Sequence, residues 1–257
     1  MAALVLTGCA AVLGETAPSP SAASTGTPSP EPAPSPTEGP TPDATSVRTR
    51  GLAVTAGDRT VLHALATAPG AVVTTVPDGD QAVLTIDPGD PTAPVSALLA
   101  VPDGATVEVQ DDDSVVVRAA DSSFLGGAAP PSGAPGAGAG APRVTVAGDG
   151  LIALTGVGPV TVRVGSVALL GTDWGDREGG RSLAVEPSGW ARSAGLAGEV
   201  AVWAELVAAE PDADTPVMHD QLVCHTVGAP DKPTWNLEPW RPDVGLLEVM
   251  LAGCNPT

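Results

Sequence analysis

The sequence has no tyrosine, one phenylalanine (Phe124) and one lysine (Lys232). Its tryptophans, Trp174, Trp190, Trp203, Trp235 and Trp240, all fall in the last third of the chain. Large aromatic side chains supply much of a core's buried area, so the densest core is expected there. Basic residues are also scarce: 11 Lys and Arg stand against 30 Asp and Glu, giving a formal charge of -19, and they form no cluster. Nucleic-acid binding needs clustered cations to displace counterions, which excludes nucleic acid as a partner. The same field opposes electrostatic docking on anionic lipid. No metal-ligand spacing such as His-x-x-x-His occurs, and Asp111-Asp112-Asp113 lacks the rest of a calcium loop and reads as a solvated hairpin tip. No metal and no cofactor are expected.

Glycine and proline are abundant, at 31 and 28 residues, and part of that excess must be linker. Leu6-Thr7-Gly8-Cys9 resembles the lipobox of bacterial lipoproteins, in which the cysteine receives a diacylglyceryl group, and it closes the apolar run from Met1 to Leu6. A positively charged leader and a full-length apolar segment are lacking, so residues 1–9 read as a truncated signal peptide whose true start lies upstream. Glu15 to Val47 carries nine prolines among Ser, Thr, Ala and Glu. Such a segment buries too little apolar surface to offset the entropy of ordering, so residues 10–47 are expected to be a disordered tether. Its polyproline II reach is up to roughly 100 Å at ~3.1 Å per residue. The pair predicts attachment to the cell membrane through a lipid on Cys9, with the rest of the chain on the extracellular or envelope side.

Residues 48–171 alternate short β-branched runs with turn residues such as Pro77-Asp78-Gly79-Asp80 and Asp87-Pro88-Gly89-Asp90. Strands fit this pattern, as a sandwich or an open antiparallel sheet. Thr106 to Gln110 and Val115 to Arg118 should pair as a hairpin across the Asp triplet, while Arg143 to Val146, Leu151 to Leu154 and Val160 to Val164 give further strands. Ala128 to Pro142 is nearly pure Gly, Ala, Pro and Ser and reads as a loop within this β-rich domain. His63 sits alone among apolar residues, which suits a structural histidine.

Residues 172–257 read as a small α+β domain. Its glycines mark Asp173 to Gly180 as a loop, followed by a strand from Arg181 to Glu186. Helices are expected from Gly198 to Glu210, from Pro216 to about Val227 with Thr215 as N-cap, and from Asp243 to Ala252. With Cys9 assigned to lipid, Cys224 and Cys254 remain, an even number in an exported chain, and a disulfide between them is expected. The fold class expected is therefore α+β, a β-rich middle domain followed by a disulfide-closed C-terminal domain.

Trp174-Gly175, Asp220-Gln221 with Cys224-His225, Lys232 with Trp235-Asn236-Leu237-Glu238-Pro239-Trp240-Arg241-Pro242, and Cys254-Asn255-Pro256 together resemble the actinobacterial domain of unknown function 2599. The resemblance implies a secreted or lipid-anchored envelope protein and supplies no activity. Within these residues three readings stand side by side. In a structural one, Arg241 pairs with Glu238 or Asp220 in a buried network, with Trp235 and Trp240 in the core. In a binding one, Trp235 and Trp240 flank a groove in which Asn236, Glu238 and Arg241 read a cell-wall glycan or peptide. In an enzymatic one, an envelope hydrolase, His225 is the acid or base, Glu238 or Asp220 orients it, and Arg241 clamps an anion. A binding or structural module is favoured, because no activated serine accompanies the histidine. The extended segment from Trp235 is expected to lie against the helix carrying His225, with Trp235 and Leu237 inward and Asn236 and Glu238 on the opposite side.

Overall fold

A computed structural model describes residues 41–133, 140–177 and 179–257. The lipobox with Cys9, nearly all of the proline-rich segment and the centre of the Gly/Ala/Pro stretch lie outside the described residues. The fold is β-rich, with antiparallel sheets followed by helices closed by a disulfide.

The described chain opens on helix α1 (Ala44–Arg50), whose start falls in residues expected to be tether. Asp43 caps it, accepting from the N–H of Ser46 at 2.8 Å, and its one buried residue, Val47, packs on Leu98, Ala100 and Leu151. Thirteen antiparallel strands follow before the main helices. They are β1 (Leu52–Ala56), β2 (Arg59–Ala66), β3 (Val72–Asp78), β4 (Gln81–Asp87), β5 (Pro94–Ala100), β6 (Thr106–Val109), β7 (Val115–Arg118), β8 (Phe124–Ala128), β9 (Arg143–Gly148), β10 (Leu151–Val157), β11 (Val160–Gly165), β12 (Leu169–Arg177) and β13 (Gly180–Pro187).

The first eleven make two sheets, ordered β1-β2-β5-β10-β9 and β3-β4-β11-β8-β7-β6. Their inner faces share one core, in which Val54, Leu62, Leu99, Ile152 and Leu154 of the first sheet meet Leu84, Ile86, Val117, Val162 and Val164 of the second. The architecture is therefore a sandwich. Period-two burial is plain in β4, where Ala82, Leu84 and Ile86 are buried and their neighbours are not. In β7, Val115 and Val117 face this core while Val116 faces the C-terminal helices, so both faces of the strand are covered. The hairpin β6–β7 forms across the Asp triplet as expected, with Val109 opposite Val115.

β12 and β13 begin a third sheet, and here the expected loop from Asp173 to Gly180 is replaced by strand up to Arg177. Gly175 contributed to that expectation, yet a Cβ there would meet nothing within 4 Å, and it serves as a strand residue. The turn is confined to the tip, where Gly179 takes φ +100°. Four helices complete the fold: α2 (Gly189–Ser193), α3 (Leu196–Ala209), α4 (Pro216–Gly228) and α5 (Leu246–Leu251), with strand β14 (Trp235–Leu237) between the last two. The last helix is shorter than the expected span from Asp243 to Ala252.

A second core lies between the sandwich and these helices. It gathers Trp190, Leu206, Met218, Leu222, Trp235 and Leu237 around Val116, Phe124 and Ala129 of the sandwich. Trp190 seats most tightly: a Cβ on Gly165 would come within 2.2 Å of its ring and one on Gly127 within 2.7 Å, so only glycine admits the indole at either place. The Phe124 ring stacks on it with centroids 5.6 Å apart.

Candidate functional site

The polar cluster is built on one face of α4 and on β14. Thr215 accepts from the N–H of Met218 at 3.3 Å and Pro216 takes the first helical turn, which fixes where α4 begins. From that start, Met218, Gln221, Leu222, Cys224 and His225 are the buried residues. β14 is extended and pairs antiparallel with β13, placing Trp235 opposite Val185 and Leu237 opposite Leu183. The segment thus lies against α4 as a sheet strand.

Gln221 joins the two elements. Its Nε2 donates to Glu238 O at 3.0 Å and to Val217 O at 3.1 Å, while the N–H of Glu238 donates to its Oε1 at 3.0 Å. An amide is suited to this, since it offers one acceptor and two donors in a plane. The Glu238 carboxylate accepts from Nε of Arg241, and Nη1 of Arg241 donates to Pro256 O at 3.1 Å. Glu238 is 3% exposed and Arg241 5% exposed. Both charges are therefore held inside the protein, paired and hydrogen-bonded, as burial of charge requires. Their role is to tie β14 to the chain's last residues, next to the Cys224–Cys254 disulfide with its Cα atoms 5.5 Å apart.

His225 is 4% exposed and stands apart from that pair. Its Nε2 lies 3.2 Å from Asn236 O, and because a carbonyl can only accept, Nε2 carries the proton. Burial pushes its pKa below the usual histidine range, Lys232 adds to the effect and the bond to Asn236 opposes it. Nδ1 is buried without a hydrogen-bond partner. Asp220 is half-buried on α4 and, among the described residues, forms no ion pair with Arg241. The structure thus brings Glu238 and Arg241 together and leaves His225 and Asp220 outside their pair.

The two tryptophans also part. Trp235 is fully buried and its Nε1 donates to Ala229 O at 3.1 Å, so it fills the core, inward as the alternation of the segment predicts, and is not the groove wall of the binding reading. Glu238, expected to share the opposite side with Asn236, is buried and held by Arg241, so that side is closed at Glu238. Trp240 is 43% exposed, with the Arg241 guanidinium 4.6 Å above its ring. Its ring lies against Gly180 at the β12–β13 tip, and a separate apolar surface is presented by α5. Only Val249 of that helix is buried, against the disulfide, whereas Val244, Leu246, Leu247, Met250 and Leu251 face solvent.

Sequence reasoning missed two residues here. Gln221 shares the buried face of α4 with Met218, Leu222 and His225, and a polar side chain on such a face signals an obligatory hydrogen bond. Arg192 donates to the carbonyls of Pro230 at 2.7 Å and Pro233 at 2.7 Å and also to Lys232 O, clamping the loop before β14. No local pattern betrays a clamp 40 residues away.

Residues 170–257 match the family described as Protein of unknown function (DUF2599). Uncharacterized proteins of Mycobacterium bovis and Mycobacterium tuberculosis are 44% identical over 93 residues, which is 33% of this chain and 63% of each relative. An uncharacterized protein of Mycobacterium leprae is 41% identical over 81 residues, 30% of this chain and 60% of that protein. The chain thus spans less than two thirds of the length of these relatives. No solved structure matches it.

Proposed function

We propose that this is an exported, lipid-anchored envelope protein whose C-terminal region is a binding module acting through the apolar face of α5. One observation carries the reading: a six-residue helix, resting on a disulfide through a single buried valine, turns Leu246, Leu247, Met250 and Leu251 to solvent. Leu247 is 69% exposed and Leu251 73% exposed. Clustered apolar side chains held on a rigid support mark interaction surfaces. The face offers few hydroxyl-reading groups, which favours an apolar peptide or protein segment over a glycan. Export is supported by the Leu6 to Cys9 lipobox and by a disulfide that suits an oxidising compartment. A hydrolase using His225 gains no support, because its Nε2 is engaged by Asn236 and Glu238 is engaged by Arg241.

Photo-crosslinking on intact cells tests the binding face. A crosslinker at Leu247 or Leu251 should give a discrete adduct, and one at Val146, equally exposed on the sandwich, should not. Equal yields at the three positions would overturn the reading. Anchoring is tested separately: expressed with its upstream codons, the protein should partition into detergent, and Cys9→Ala should release it.

A further inference from the structure

A groove runs along the seam between the sandwich and α3. Its main cavity, about 520 Å³, has Arg59 at the start of β2 and Arg118 at the end of β7 on its walls, and Phe124, Ala204 and Ala208 form its apolar lining. It continues into a neighbouring cavity of about 410 Å³ that shares Arg59, Ser123 and Phe124. A volume of this size suits a small molecule.

The groove holds two of the chain's few basic residues. With 11 basic residues against 30 acidic ones, an arginine has many possible partners, yet among the described residues neither Arg59 nor Arg118 forms an ion pair. Among the described residues the one side-chain hydrogen bond of Arg59 is a long one, 3.5 Å to Ser166 O, and the half-buried side chain of Arg118 makes none. Two carboxylates line the same cavity, Asp121 and Glu205, each with one oxygen engaged by hydrogen bonds. Asp121 accepts from the N–H of Ser123 at 3.0 Å and from its hydroxyl at 2.6 Å, which holds its pKa below the usual range. Glu205 accepts from the N–H groups of Ala168 at 3.2 Å and Leu169 at 2.8 Å. Two arginines, neither in an ion pair among the described residues, therefore line one groove with Phe124 and a floor of small helix residues. Arginine forks match carboxylate and phosphate oxygens in pairs.

We infer that this groove binds a small organic anion, its carboxylate or phosphate group held by Arg59 and Arg118 and its apolar body lying over Phe124, Ala204 and Ala208. The inference is independent of the α5 face, since it uses none of its residues.

The test is titration of the full-length chain with phenyl phosphate, benzoate and inorganic phosphate, followed by amide NMR at Ser122, Ser123 and Ala204. Saturable shifts at these amides are expected with phenyl phosphate or benzoate, and the responsive probe tells which anionic group the site takes. Charge-assisted bonds of roughly 1.5–3 kcal/mol correspond to a loss of about tenfold or more in each of Arg59→Gln and Arg118→Gln. Ala204→Leu, which fills the floor, should weaken phenyl phosphate while sparing inorganic phosphate. Absence of saturable shifts with all three probes, or binding undiminished in the double arginine variant, would overturn the inference. Equal affinity for phenyl phosphate and inorganic phosphate would overturn its apolar half.

Discussion

The carboxylate of Asp112 accepts a hydrogen bond from the backbone N–H of Leu196, 2.9 Å away and 84 residues along the chain. A hairpin tip of the sandwich thereby caps α3, which has no side-chain cap of its own, and Ser114 Oγ takes the next N–H, that of Ala197, at 2.9 Å. The first residue of the cap, Gly195, has φ +61°, and a Cβ there would lie 2.1 Å from Asp112 Oδ2.

Replacing either member of this joint should destabilise the whole described unit. Asp112→Ala removes a helix cap, a loss of about 1–2 kcal/mol, and Gly195→Ala should cost more because it adds a steric collision to a strained backbone. Asp112→Asn, which keeps one accepting oxygen, should fall between wild type and Asp112→Ala. Urea midpoints rank the three, and an unaltered midpoint in Gly195→Ala would contradict the geometry.

The buried Glu238–Arg241 pair gives a second outcome. Arg241→Ala leaves the buried Glu238 carboxylate without its cation and should lower stability by roughly 3–5 kcal/mol, whereas Glu238→Ala combined with Arg241→Ala should lose less than the two single losses together. Denaturant titration of the four proteins measures the coupling.

The Cys224–Cys254 bridge spans 30 residues, a loop worth roughly 3–4 kcal/mol in the chain-entropy model. Cys224→Ser with Cys254→Ser should lower the urea midpoint accordingly and loosen α5, which rests on the bridge through Val249. Faster amide exchange at Val249 than at Ile152 of the sandwich checks the second half.

Acid should weaken the fold through its buried histidines. Burial holds the pKa of both His225 and His63 below the ordinary 6.5, with the charges of Lys232 and Arg48 respectively adding to the effect. The unfolded chain therefore takes up protons first, and stability falls as pH drops through about 6.5 toward the folded values. Glu199 acts oppositely, since burial raises its pKa and the folded state gains the proton first as pH falls. In a Glu199→Gln background the urea midpoint should decline from pH 7 to pH 5, and His225→Gln should flatten that decline.

Much of this was legible in the sequence where the signal is local. Val160 to Val164 alternates in one strand, Thr215-Pro216 starts one helix, and a count of cysteines leaves Cys224 with Cys254. What escaped depends on contacts across the fold. β12 is a strand through its antiparallel pairing with β13, with Thr172 and Trp174 both reaching Glu210, at 2.8 and 3.0 Å, and the glycines around them hid that pattern. α2 is five residues long, too short to show a period, yet it carries Trp190. Nor does composition tell how deep a carboxylate lies, which is why the cluster around Glu238 read equally as a site or a scaffold.

Trp190 has a consequence for how this region travels between proteins. The matched segment begins at residue 170, whereas the socket for its indole is made by Phe124, Gly127 and Gly165, upstream of that boundary. The inherited sequence unit and the folding unit do not coincide. A protein that carries the segment on different upstream sequence must supply another floor for this indole, so transplanting residues 170–257 alone should yield an insoluble product unless the exposed ring is replaced or covered.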